Sequence, residues 1–242
     1  MKKNYFLVAI AFLFVSTAAV QAQIKIPKIL NNQSSGASGK GVTEAEAGQG
    51  VKEALTQGVV NAVLNLNKTD GFFGSNVYKM FLPQDAQKIE KTLRSIGLGG
   101  EVDKAILAIN RGAEEAVGFA KPIFVDAIKE VTVTDALKLV TGKGNTITDF
   151  FKNKTNAKLI AAFAPSVKTS LDNTNATKYY SDIVNTYNKL PTTLKKVNPD
   201  LTSFVVSKAV DALFDQVAKE EANIRANPMG QASDLLKKVF AK

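Results

Sequence analysis

The chain has 242 residues, a formal charge of +9, and no cysteine, histidine or tryptophan. Those zeros exclude disulfides, zinc sites built from Cys or His, and every Ser-His-Asp or Cys-His catalytic arrangement. Any catalysis must use Asp, Glu, Lys, Ser, Thr or Tyr, and stability must come from packing apolar surface.

Residues 1–22 read as a cleaved signal peptide. Residues 1–4 are basic, 5–15 apolar and 16–22 small, and Val20 and Ala22 suit the positions before a signal peptidase cut. The apolar run is short for a membrane span, so no transmembrane segment is expected after cleavage. No cysteine stands near the cut, which excludes a lipoprotein anchor, and the expected location is the periplasm. The mature chain carries +7, 29 basic minus 22 acidic residues once Lys2 and Lys3 are removed. That charge favours an envelope protein or an anionic lipid surface as partner. The basic residues are scattered, with no run longer than Lys195-Lys196 or Lys237-Lys238, so nucleic acid is not expected.

Residues 23–42 have the composition of a flexible linker. A single helical domain is expected over 43–242, opened by a capping box of Thr43 with Glu46. The helix over 44–66 carries a row of small residues, Gly50, Ala54, Gly58 and Ala62, beside Ala47, Val51, Leu55, Val59 and Val63. Helical glycines cost about 1 kcal/mol each relative to alanine, so the row predicts close approach of another backbone.

A turn at 67–71 leads into GFFGSNVYKMFLP. Its aromatics are expected to fold back onto the core, the alternative being that Phe72 and Phe73 form an exposed docking tip. Pro83 starts the next helix, with Ala86, Ile89, Leu93 and Ile96 buried. A helix through Val117 follows, with Val102, Ile106, Ile109 and Ala113 inward and Arg111 pairing with Glu115 outside. Pro122 restarts the chain, Thr132 with Asp135 caps a short helix ending at Gly142, and Thr146 with Asp149 caps another. Residues 157–171 are helical with a break at Pro165. Tyr180, Ile183, Tyr187 and Leu190 make a stripe over 178–190, and 232–240 form a last amphipathic helix. Alternating runs bounded by hairpin signals are missing, so the fold class is all-α, an irregular multi-helix bundle.

The clearest helix lies between Pro199 and Pro228, with Asp200 as its cap. Val205, Ala209, Ala212, Leu213, Val217 and Ile224 form its apolar face, opposite Lys208, Asp211, Asp215 and Lys219. Glu220 is expected on the apolar face. It reads as a structural ion pair, as a glutamate curling out past the helix edge, or as a general acid, while Arg225 suits Glu221 at i,i+4.

TGKGNT at 141–146 lacks the first glycine and the Ser/Thr of a phosphate loop, and GLGG at 97–100 has no preceding strand, so no nucleotide cofactor is expected. Nor is a metal. Carboxylates are the remaining catalytic material: Glu114 and Glu220 across two packed helices form a candidate dyad, or salt-bridged networks with Arg111 and Arg225. Arg111, Arg225, Phe72 and Phe73 are the candidate binding residues.

VKEALTQGVVNAV, TDGFFG with a nearby FLP, INRGAEEAV, KPIFVDAIKEVTVTDALKLVTG, AKEEANIRANP and SDLLKKVF occur in that order over 42–240. Together they resemble the domain-of-unknown-function family 4197, exported proteins of Gram-negative bacteria. The resemblance implies one periplasmic helical domain and carries no catalytic residue. The expected function is a non-enzymatic periplasmic interaction or envelope-maintenance protein. Its alternatives are a carrier with an inter-helical cavity for a hydrophobic or lipid ligand and a carboxylate-dependent cell-wall hydrolase.

Overall fold

Helix α1 (Glu44–Leu66) runs through the middle of the bundle, and its sequence gives it two buried sides. Its start is fixed locally: the Thr43 hydroxyl accepts the Glu46 amide at 3.2 Å, and the Thr43 amide donates to Glu46 Oε2 at 3.0 Å. Then follow α2 (Gln87–Ser95), α3 (Gly99–Val117), α4 (Ala120–Glu130), α5 (Ala136–Thr141), α6 (Thr146–Asn173), α7 (Ala176–Asn188), α8 (Thr202–Ala226) and α9 (Asp234–Phe240). Short 3₁₀ turns occupy Gln84–Ala86 and Pro228–Gly230. The computed structural model describes residues 41–241 apart from 192, 194 and 198–200. The expected signal peptide, most of the linker and the Asp200 cap lie outside the described residues. Within them there is no strand, and no helix is long and apolar enough to cross a membrane. The fold is all-α.

α1 packs most extensively on α8, α8 on α6, α6 on α3, and α3 on α7, while α4, α5 and α9 cover the other side of α1. Phe124 of α4, Phe151 of α6 and Phe214 of α8 meet at the centre. Their ring centroids lie 5.6 to 6.5 Å apart in tilted and edge-on arrangements, which suit the aromatic quadrupole.

The small-residue row is buried as the sequence predicts. A Cβ on Gly58 would lie 3.1 Å from Val217 Cγ1 and 3.3 Å from Val217 Cα, so the missing side chain is what lets α8 approach. Gly112 does the same for α3 against α6, where a Cβ would sit 2.8 Å from Leu171 Cδ2.

Two expectations need correction here. α6 is one helix of 28 residues, with Pro165 inside it. Pro165 and Ala161 both lie on the exposed face, so the carbonyl that proline leaves unbonded is open to water. Ile96 is 52% exposed, because α2 ends at Ser95 and the chain turns at Gly97 in the left-handed region (φ +83°).

Gly58→Leu should destabilise the fold by about 2 kcal/mol through overpacking, lowering Tm by roughly 4–8 °C. An unchanged Tm by circular dichroism would mean that α1 and α8 are not in close contact there. A second test concerns the start of α1. Lys238, 2.5 Å away, and the Thr43 amide hold the Glu46 carboxyl at about 2, below its ordinary 4.5. A depressed carboxyl stabilises above its unfolded pKa and loses that contribution as pH falls through its folded one. The Tm gap between wild type and Glu46→Gln should therefore be full at neutral pH and close between pH 4.5 and 2. A gap constant with pH would contradict the ion pair.

Candidate functional site

Residues 67–83, seventeen in number, join α1 to the first 3₁₀ turn without regular structure. Ordered loops this long are uncommon and usually carry a function. The loop leaves α1 through a tight turn: Asp70 adopts φ +67°, and a Cβ on Gly71 would fall 2.3 Å from the Leu66 carbonyl oxygen.

Three tethers then hold it. The first is Glu114, which is buried on α3. Its Oε1 accepts the amides of Phe72 and Phe73, each at 3.0 Å, and its Oε2 accepts from Arg111 at 2.6 Å. Arg111 reaches on to Asp70 at 2.8 Å, and these two acids raise its pKa above the usual value. The second is Asn110, fully buried, which accepts the Met80 amide at 2.8 Å and donates to the Met80 carbonyl at 2.7 Å. The third is Tyr78, whose hydroxyl donates to Asp215 at 2.5 Å and accepts from Lys219 at 2.5 Å and Gln216 at 3.0 Å. Burial above all, and the Asp215 bond next, push the Tyr78 hydroxyl above its ordinary value. Burial, the largest single influence on Asp215, would raise its carboxyl, but bonds from Lys219 and Tyr78 outweigh it and hold the acid below its usual range. The Tyr78 hydroxyl is thus kept protonated and acts as a bridge to α8.

Between this loop and the first half of α8 lies a groove of about 450 Å³. Val77, Phe81 and Phe204 line it with Lys79, Lys208 and Asp211. Val77 is 72% and Phe81 55% exposed. Lys79 stands 4.0 Å over the Phe73 ring and 5.7 Å over that of Phe81, a cation–π contact with each. Asp211 is bridged to Lys152 at 2.9 Å and Asp215 to Lys219 at 2.8 Å, whereas Lys79 and Lys208 have no acidic partner within ion-pair distance among the described residues.

The candidate residues of the sequence divide between this site and the scaffold. Phe72 is wholly buried, as expected of a loop folded back on the core, while Phe73 stays at the edge under Lys79 and Arg111. Glu114 and Glu220 turn to different partners and form no dyad: Glu114 grips the loop, and Glu220 accepts from Gln57 at 2.8 Å. Arg111 pairs with Glu114 rather than Glu115, which accepts from Asn173 at 2.7 Å instead.

The carboxylate sunk into the apolar face of α8 is Glu221, 3% exposed, and Glu220 lies half-buried at its edge. The face is broader than Leu213, Val217 and Ile224, because Val210 and Phe214 are also buried, Phe214 against Phe151 of α6. Glu221 accepts the Ile147 and Thr148 amides at 3.1 and 2.8 Å, within the first turn of α6, together with the Thr148 hydroxyl at 2.7 Å. Arg225, bonded to Glu221 at 2.6 Å, donates to the carbonyls of Leu139, Val140 and Gly142 at the end of α5. Neither Thr146 nor Thr132 caps as expected. The α5 amides of Ala136 and Leu137 go to Glu44, and Asn145 offers α6 no side-chain bond.

Sequence reasoning missed Asn110, Lys79 and Lys208 as site residues. Asn110 had a readable signal, an amide beside the inward-facing Ile106, Ile109 and Ala113. The two lysines resemble any solvated charge until the loop is placed.

Glu221→Gln should cost about 3 kcal/mol, since it strands Arg225 and turns an amide group towards backbone donors. Glu220→Gln should cost less than about 1 kcal/mol. Urea unfolding of both variants checks this, and equal losses would return the buried role to Glu220.

No curated protein and no solved structure matches the chain. A family described as Protein of unknown function (DUF4197) matches residues 41–241, the whole span from the approach to α1 through the end of α9. That span includes both the tethered loop and the α3 segment that holds it, and the chain belongs to the DUF4197 family.

Proposed function

We propose that the protein is exported, cleaved after Ala22, and acts in the periplasm as a non-enzymatic interaction protein that works by binding. The observation carrying this reading is the groove: a long loop, tethered to two helices, that keeps Val77 and Phe81 in solvent beside Lys79 and Lys208, which form no ion pair among the described residues. Leaving such apolar side chains exposed is unfavourable by roughly 25 cal/mol per Å², and binding would recover it.

The carboxylates support the same reading. A hydrolase needs two acids facing a cleft, one of them free to give up a proton. Here Glu114 and Glu221 have their oxygens engaged by backbone amides and arginines. Carriage of a hydrophobic ligand would need a void between the helices, and the rings of Phe124, Phe151 and Phe214 pack together at the bundle centre.

Cross-linking in intact cells, with wild type and Val77→Ser/Phe81→Ser compared quantitatively by mass spectrometry, tests the proposal. Wild type should capture a defined set of envelope proteins that the variant loses by tenfold or more, as expected when buried apolar anchors are removed. Identical capture by the two forms would overturn it.

A further inference from the structure

From Lys79 to Pro83 the chain is irregular, yet its side chains alternate: Met80 buried, Phe81 exposed, Leu82 buried. That is the pattern of extended backbone. Asn110 takes both the amide and the carbonyl of Met80, as a neighbouring strand would. For Phe81 no residue plays that part. Its amide and carbonyl, and the carbonyl of Lys79, make no hydrogen bond among the described residues. Phe81 lines the groove. A stretch bonded on one side and open on the other offers a free backbone edge, which a second extended chain can complete.

We propose that the groove takes an extended acidic-apolar segment of a partner protein, which pairs its backbone with Phe81 as an added strand. This deepens, and rests on, the binding function above. Apolar side chains of the segment pack on Val77, Phe81 and Phe204. Carboxylates at alternate positions reach Lys79 and Lys208, the lining cations that form no ion pair among the described residues, while Asp211 and Asp215 are already neutralised by Lys152 and Lys219. A bilayer fits less well, because the apolar residues line a concavity instead of crowning a protrusion, and a lipid surface offers no backbone for Phe81.

The test selects binders from a phage-displayed library of random nine-residue peptides on the folded mature protein. Selected sequences should alternate apolar and acidic residues. By fluorescence anisotropy, Lys79→Glu/Lys208→Glu should weaken the selected peptide by about tenfold. N-methylation of the peptide amide that meets Phe81 should do the same, about the worth of one hydrogen bond. Hydrogen exchange should show the Phe81 amide newly protected in the complex. All variants are first checked for wild-type helicity and Tm. Selection of basic peptides, binding indifferent to N-methylation with Phe81 still exchanging, or uptake by phosphatidylglycerol vesicles through Val77 and Phe81 with no peptide selected would each overturn the inference. If no groove-dependent peptide emerges while Val77→Ser/Phe81→Ser still loses its cross-links in cells, strand pairing fails and the binding function stands. If the cross-links also persist, both fail.

Discussion

One pair of side chains on α8, Glu221 and Arg225, fastens the ends of two helices, the start of α6, where Asn145 makes no side-chain cap, and the last carbonyls of α5. Helix ends leave amides or carbonyls unbonded, and a buried end needs a partner from elsewhere. The carboxylate sits at the positive start of α6 and the guanidinium at the negative end of α5, so each charge matches the dipole it meets. Because the two are four residues apart on one helix, they also neutralise each other, which lets both be buried. Glu44 does the same for the start of α5, and Lys52 for the end of α4 through the Lys129 carbonyl at 2.8 Å. A chain without cysteine or histidine has neither disulfide nor zinc to hold its connections in place. It uses acids and bases instead.

The segment INRGAEEAV shows how closely scaffold and loop are bound together. Asn110 and Glu114, one helical turn apart, share a face and both reach into the loop. Gly112, about 200° round from Asn110, faces α6 and admits Leu171. Arg111 closes the arrangement by bridging Glu114 to Asp70. Four neighbouring residues thus place a seventeen-residue loop and seat α3 on α6, although the loop residues they hold lie 30 to 42 positions away in sequence.

What was legible beforehand follows the range of the forces involved. α1 could be read from end to end, because its capping box and its row of small residues are local signals. The inward stripe of α8 was legible for the same reason. The start of α6 was not: its amides are satisfied by Glu221, more than seventy residues away, and no local pattern announces that. Pro165 misled in the other direction, since its cost depends on whether the carbonyl one turn back can reach water. Glu220 and Glu221 differ by a hundred degrees of helix rotation, and only the position of α6 decides which is buried. The groove was the least legible feature, since neither Phe81 nor Lys208 is distinctive until three tethers from two helices bring them together.

The tethers also explain why the groove stays open. Hydrophobic attraction alone would draw Val77 and Phe81 down onto α8 beside Phe204, and a floppy loop would let it. Glu114, Asn110 and the Tyr78 bridge fix the backbone on either side of these residues, so collapse would break the Tyr78 bridge and the buried bonds of Glu114 and Asn110, which are costly to leave unmade. The ordering entropy of the loop, about 1–2 kcal/mol per residue, is therefore met by folding itself. In the binding role proposed above, a partner arriving at the groove would find the exposed apolar side chains and the open Phe81 backbone already in position, and little of its binding energy would go to arranging them. The bonds that stabilise the bundle are the same bonds that hold the groove open.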